Sequence, residues 1–234
     1  SVFHKWTGVI PEGFTLHNYV DLFMDSNFLA SVGRSIAMSI IPIIVTIVIV
    51  LLALFVTAIY FPKLEKYVQI ICMIPYTIRG VILSVSILSL YVGSSSILSN
   101  RLVMLMGAYC IVILPYIYQG IRNGMRAVNM PTLIEAAEML GASKIYAFFR
   151  VVVPNILSAI IVSSLLAVGI IFGDYVLIRN LAGTSAPNMQ IFLYQTMKSD
   201  STKASAVFVV IMFVTFVITA IVLFMKSREA KEKT

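Results

Sequence analysis

The sequence has few charged residues and a large excess of hydrophobic ones. Only 12% of its 234 residues are Asp, Glu, Lys or Arg, whereas soluble proteins average about 25%. Hydrophobic residues make up 60% of the chain, and the mean hydropathy is +0.99. This composition excludes a soluble domain with a single core and predicts a membrane protein.

Residues that most enzyme sites need are also scarce. The only two histidines, His4 and His17, lie in the N-terminal segment, which excludes a Ser–His hydrolase site. Asp174 has no second aspartate in an apolar stretch, and the HExxH and GxxxxGK[ST] patterns are absent. Cys72 and Cys110 have no CxxC or Cys/His companions. We therefore predict no catalytic residue, no metal site, no cofactor and no ATP binding through a phosphate loop.

Five apolar stretches are each near the roughly 20 residues that a helix needs to cross a bilayer. The sequence therefore predicts an all-α membrane protein with spans at residues 36–61, 67–92, 102–121, 155–181 and 204–225. Residues 35–234 would form the transmembrane domain, and residues 1–34 an outer segment with a short amphipathic helix. The predicted apolar side of that helix consists of Leu16, Tyr19, Val20 and Phe23.

The positions of Lys and Arg in the loops predict the orientation of the chain. Ten of the 17 Lys and Arg residues lie in residues 62–66, 122–154 and 226–234, and six lie in the segments on the opposite side. We expect the first set, including the tail at 226–234, to be cytoplasmic. The net charge of +7 forms no dense basic stripe, so no nucleic-acid partner is predicted.

Residues 129–154 have helical order outside the apolar stretches. Pro131 suits the first turn of a helix that Asn129 can cap, and Gly141 suits its left-handed C-terminal position. Ser143 can cap a second helix that ends where Pro154 interrupts it. Apolar residues recur at helical spacing in both helices: Leu133, Ala137 and Leu140 in the first, and Ile145, Phe148, Phe149 and Val152 in the second.

The spacing within this loop resembles a known motif. Glu135-Ala136-Ala137, three residues, Gly141, nine residues and then Val-x-Val-Pro at 151–154 are similar to the EAA loop of permease subunits of binding-protein-dependent ABC importers. That loop ends in Ile-x-Leu-Pro, for which the valines are conservative replacements. The resemblance implies that Glu135, Ala136, Ala137 and Gly141 contact a cytoplasmic ATPase. The alternative is an ordinary two-helix loop between spans.

The resemblance extends over most of the chain. Residues 13–23, 74–80 and 114–115 are similar to segments of type I importers of the spermidine/putrescine, ferric iron and phosphonate type. It implies a multi-pass subunit of the bacterial inner membrane, with a sixth span before Ser1 and no ATPase of its own. The implied partners are two ATPase subunits, a second permease subunit that is identical or different, an external binding protein facing residues 183–187, and membrane lipid.

Ionisable residues in the spans are candidates for the solute path, since each costs about 2.5 to 3.5 kcal/mol at the bilayer centre. Arg79, flanked by Tyr76 and Gly80, either lines the path and favours an anionic solute or pairs with Asp174. Asp174 and Tyr175 resemble an acidic–aromatic pair of polyamine and oxyanion importers. The alternative function is a secondary transporter driven by an ion gradient, which predicts paired repeats. We find no such repeat.

Overall fold

The computed structural model describes residues 3–5, 12–15, 17–78, 80–93, 99–183 and 187–232. These residues are almost entirely helical, as predicted. They group into two compact units. The first unit comprises Ser1–Ile41, Gly80–Ala108 and Gly169–Ala220, and the second comprises Pro42–Arg79, Tyr109–Val168 and Ile221–Thr234.

The N-terminal segment contains a short β-ribbon that the sequence did not predict. β1 (Phe3–Lys5) pairs antiparallel with β2 (Glu12–Phe14). The predicted amphipathic helix is present as α1 (His17–Met24). Leu22 is fully buried, whereas Val20 and Phe23 are about half exposed, and Leu16 lies outside the described residues.

Within the described residues, three single helices are long and apolar enough to cross a membrane. They are α2 (Ser26–Ile59), α5 (Arg101–Ala127) and residues Ser201–Ile221 of α12 (Ser201–Glu232). α2 begins ten residues before the predicted span because Asp25 starts it: its carboxylate accepts the backbone N–H of Asn27 at 2.9 Å. The predicted boundary between residues 34 and 35 therefore falls within a continuous helix.

Two bent pairs of helices are, taken together, long and apolar enough to be further crossings. The first contains the 3₁₀ turn Pro62–Leu64, α3 (Glu65–Met73) and the 3₁₀ turn Ile74–Tyr76, followed after residues 77–80 by α4 (Val81–Tyr91). The second is a pair bent by 65°, in which Lys144–Asn155 is followed by α9 (Leu157–Phe172). With each pair counted as one crossing, the described residues contain five candidate spans, which is the predicted number.

The predicted single span at 155–181 is wrong at its C-terminal end. α9 ends at Phe172, and α10 (Val176–Leu181) begins after a three-residue break. The carboxylate of Asp174 accepts the backbone N–H groups of Leu177 at 3.1 Å and Ile178 at 3.4 Å. Asp174 thus satisfies free N–H groups at the start of a new helix. α11 (Met189–Ser199) follows.

α5 and α9 cross very closely in the second unit. A Cβ atom at Gly124 would lie 2.7 Å from the Cβ of Ala159, and one at Gly120 would clash still more severely with the Cβ of Ser163. Small residues four apart on both helices allow this approach, as in membrane helix pairs generally. The crossing therefore requires glycine on α5.

Gly120→Ala should destabilise the fold, because overpacking of a tight contact costs about 1–3 kcal/mol. Thermal unfolding of the detergent-purified protein measures the loss. Gly107→Ala is the matched control on the same helix, since no atom lies within 4 Å of its added Cβ. Adding Ser163→Gly to Gly120→Ala should restore part of the stability, and equal melting temperatures for both alanine variants would contradict the close crossing.

Candidate functional site

The loop between α5 and α9 contains two helices that meet at a glycine corner. α6 (Met130–Met139) has Pro131 in its first turn, as predicted. Asn129 precedes it in a left-handed conformation (φ 50°), but its side chain forms no capping bond. Gly141 follows α6 at φ 81°, the backbone region that glycine tolerates best. The predicted corner is therefore confirmed.

The second half of the loop is a chain of short helical segments. Ser143 accepts the backbone N–H of Tyr146 at 3.3 Å and caps α7 (Lys144–Ala147), as predicted. A π-helical segment (Phe148–Val152) and α8 (Val153–Asn155) follow. Pro154 has no N–H for the carbonyl of Arg150, and its ring crowds that carbonyl, which accounts for the wider turn before it. The break itself lies at Ile156 and not at Pro154.

The buried side of the loop anchors it within the second unit. Met130 and Ile134 of α6 are 5% exposed, and Phe148 and Val152 are fully buried. The ring of Phe148 packs 4.8 Å from that of Phe55 in α2. Phe148 and Val152 belong to the predicted apolar side of the second helix, whereas three other predicted residues, Leu140, Ile145 and Phe149, are exposed.

The exposed side of the loop contains the residues predicted to contact the ATPase, together with apolar side chains. Glu135, Ala136 and Gly141 are exposed, and Ala137 is half-buried. Met139 and Leu140, at the end of α6, are 88% and 89% exposed. We call these six residues the elbow surface. Large apolar side chains this exposed beside a glycine corner are typical of an interaction site.

An ion cluster joins α5 to α3. The guanidinium of Arg122 donates to one carboxylate oxygen of Glu65 from Nη2 at 2.6 Å and from Nε at 2.9 Å. Arg126 contacts the same oxygen at 3.3 Å. Arg122 is 16% exposed and Arg126 is 61% exposed, so Arg122 is the stronger contact. The cluster holds the start of α3 to the helix that leads into the loop.

A cleft of about 650 Å³ lies along the crossing of α5 and α9. Its lining has no charged side chain, and its polar groups are amides and hydroxyls, including Gln119, Asn123, Asn155 and Ser158. Gln119 donates its amide to the Met73 thioether at 3.2 Å, a weak acceptor. This row of hydrogen-bonding groups suits water or a polar solute better than lipid tails.

The residues predicted for the solute path fall in both units. Tyr76 packs its ring 5.0 Å from Tyr116, which lines the cleft. Gly80 lies at the break before α4 with φ 66°, Asp174 caps α10, and the ring of Tyr175 lies 5.3 Å from that of Tyr194. Arg79 lies outside the described residues, so neither interpretation of it is tested. The described part of the chain contains no group of side chains that could hold a metal ion.

Comparison with known families agrees with the resemblance of the loop to that of importer permeases. Residues 35–229 match the family described as the binding-protein-dependent transport system inner membrane component. The chain belongs to this family. It is a multi-pass permease subunit of an ABC importer in the bacterial inner membrane, and its EAA residues lie on the elbow surface.

Individual relatives are distant. A probable ABC transporter permease protein of Mycoplasma genitalium is 23% identical to this permease over 239 aligned positions, covering 91% of this chain and 72% of the relative. A crystal structure of a bacterial ABC transporter that imports the acidic polysaccharide alginate matches with a TM-score of 0.65 at 18% identity, covering 94% of this chain and 84% of the other. The alginate transporter in complex with an alginate pentasaccharide-bound periplasmic protein matches with a TM-score of 0.66 at 18% identity, covering 91% and 81%. At this identity the structures show a shared fold alone.

Two features of the permease were missed by sequence reasoning. The Glu65–Arg122 contact joins residues that are 57 positions apart, so no local sequence pattern predicts it. The close crossing had a visible signal in Gly120-xxx-Gly124 and Ala159-xxx-Ser163.

Arg122→Gln should loosen the start of α3, because it removes both hydrogen bonds to the Glu65 carboxylate. We expect a loss of about 1 kcal/mol, the upper end for a partly exposed pair, seen as faster amide hydrogen exchange in residues 65–73. Arg126→Gln is the matched control and should have a smaller effect. Equal exchange in the wild type and Arg122→Gln would contradict a holding role for the cluster.

Proposed function

We propose that the elbow surface is the docking site for a cytoplasmic ATPase and that this permease has no enzymatic activity of its own. One observation carries the proposal: Met139 and Leu140 are almost fully exposed beside the exposed Glu135 and Ala136. Exposed leucine and methionine gain free energy when a partner covers them, at about 25 cal/mol per Å² of apolar surface. In water they would favour aggregation, so a permanent partner is the consistent explanation.

The loop is placed to pass motion into the membrane helices. Its buried side is anchored on Phe148 and Ile134, and its two ends are α5 and α9, which cross at Gly120 and Gly124 without room for another atom. A displacement of the elbow surface would therefore move α5 and α9 together, and α3 with them through Glu65. Rigid movement of packed helices is a usual way of producing alternating access.

The cleft along α5 and α9 is our candidate for part of the solute path. Lipid tails offer no hydrogen bonds to the amide and hydroxyl groups of its lining, so we propose that the cleft faces water, solute or a second permease subunit. The second subunit, identical or different, would complete the path with Tyr76, Gly80, Asp174 and Tyr175. An external binding protein would deliver the solute. Polyamine, ferric iron and phosphonate remain the candidate solutes, with a preference for an anion because of Arg79.

Replacing Met139 and Leu140 with aspartate should uncouple the transporter. Both side chains are exposed, so the permease should still fold, while two charges in an apolar contact should reduce ATPase copurification at least about tenfold, or 1.4 kcal/mol. Uptake by cells should fall in parallel. Met139→Leu with Leu140→Met is the control and should retain both. Full ATPase binding by the aspartate variant would show that the elbow surface is not the docking site.

Arg79→Leu tests the solute path separately from docking. If Arg79 binds an anionic solute, uptake should be abolished while the ATPase still copurifies, because the elbow surface is unchanged. Transport of radiolabelled solute by reconstituted vesicles provides the measurement. Arg101→Leu removes a cation outside the predicted spans and serves as the control. Unchanged uptake by Arg79→Leu would remove the argument for an anionic solute.

A further inference from the structure

The second unit carries almost all of the excess positive charge of the chain. It contains eleven lysines and arginines and five glutamates, whereas the first unit contains six lysines and arginines and five acidic residues. The whole chain has a net charge of +7. Basic segments beside the cytoplasmic leaflet are attracted to its anionic lipids. The second unit is therefore the part of the chain that such lipids attract most strongly.

The connection between α2 and α3 exposes two of these lysines among large apolar side chains. Lys63, in the 3₁₀ turn, and Lys66, in the first turn of α3, are three positions apart, the spacing that places helical residues on one side. Beside them Phe61, Leu64 and Tyr67 are 55%, 46% and 64% exposed. We call these five residues the turn surface. Aromatic rings next to lysines are typical of the headgroup level of a bilayer.

The carboxylate next to these lysines is already bound to other cations. Oxygen Oε1 of Glu65 accepts two hydrogen bonds from Arg122, at 2.6 and 2.9 Å, and lies 3.3 Å from Arg126. With two guanidinium groups on one carboxylate, this cluster has a net positive charge, so it adds to the field of Lys63 and Lys66. Neither lysine forms an ion pair with a residue that the structure describes. This end of α3 therefore attracts anions.

Side-chain contacts within the second unit connect the turn surface to the loop. The ring of Tyr60, just before the turn surface, lies 6.0 Å from that of Phe55, which packs 4.8 Å from Phe148 of the loop. In addition, Arg122 joins Glu65 to α5, the helix that leads into the loop. A ligand held at the turn surface would therefore also restrict the position of the loop.

We propose that the turn surface binds the headgroup phosphate of an anionic phospholipid in the cytoplasmic leaflet. The inference rests on the proposed function, because docking of the ATPase on the loop puts this end of α3 and α5 on the cytoplasmic side. Lys63 and Lys66 contact the phosphate, while Phe61, Leu64 and Tyr67 lie against the upper part of the acyl chains. A zwitterionic headgroup carries its own cation beside the phosphate, so the two lysines favour an anionic headgroup.

The test uses the intact transporter in nanodiscs that contain equal amounts of phosphatidylglycerol and phosphatidylcholine. Native mass spectrometry of the released complex counts the lipids that each copy of this chain retains. Lys63→Gln with Lys66→Gln should lower the fraction of copies that retain a phosphatidylglycerol at least about fivefold, since each lysine near an anionic surface contributes a factor of this size. Lys63→Arg with Lys66→Arg keeps both charges and should retain the lipid. Arg101→Gln with Lys198→Gln removes two exposed cations from the first unit and should have no effect.

Three results would overturn the proposal. The first is equal retention of the two lipids by the wild type, and the second is an equal loss of phosphatidylglycerol from the Lys63/Lys66 and Arg101/Lys198 glutamine variants, which would indicate a general effect of charge. The third is loss of the ATPase from the Lys63/Lys66 glutamine variant with its lipid count unchanged, which would assign the lysines to the ATPase. The same spectra show whether the wild type carries the ATPase at all, so a failure of the proposed function is seen separately from the lipid count.

Discussion

The absence of side chains at Gly120 and Gly124 is the constraint on which the second unit depends. It allows α5 and α9, the two helices that enter and leave the loop, to approach until Cβ atoms would overlap. The loop itself is fixed within this unit by Phe148 and Val152, which are fully buried. Close packing of this kind transmits displacement because it leaves no space to absorb it.

The loop shows which parts of a permease can be predicted from sequence. The corner at Gly141 and the cap at Ser143 follow from local backbone chemistry, so spacing was enough to predict them. The predicted apolar sides are buried only in part: Phe148 and Val152 are buried, but Leu140 and Ile145, which are equally apolar, are exposed. Hydrophobicity cannot distinguish a residue that packs on its own chain from one that a partner covers.

The end of α9 was missed for a related reason. Apolar residues continue from residue 157 to residue 181 with few interruptions. From the sequence alone, Asp174 within this stretch could equally be a polar residue on the solute path or the cap of a new helix. The structure shows that the Asp174 carboxylate caps α10. Its place in the path remains a proposal. The Glu65–Arg122 contact depends on tertiary structure and could not be read from one sequence.

The account depends most on one point: the elbow surface must be covered by the ATPase on the cytoplasmic side. Labelling of Leu140→Cys with a membrane-impermeant maleimide tests this directly, since the native Cys72 and Cys110 lie within the helical spans. In inside-out vesicles stripped of the ATPase, the new cysteine should react, and rebinding of the ATPase should protect it. Labelling from the outside of intact cells, or equal labelling with and without the ATPase, would contradict the account.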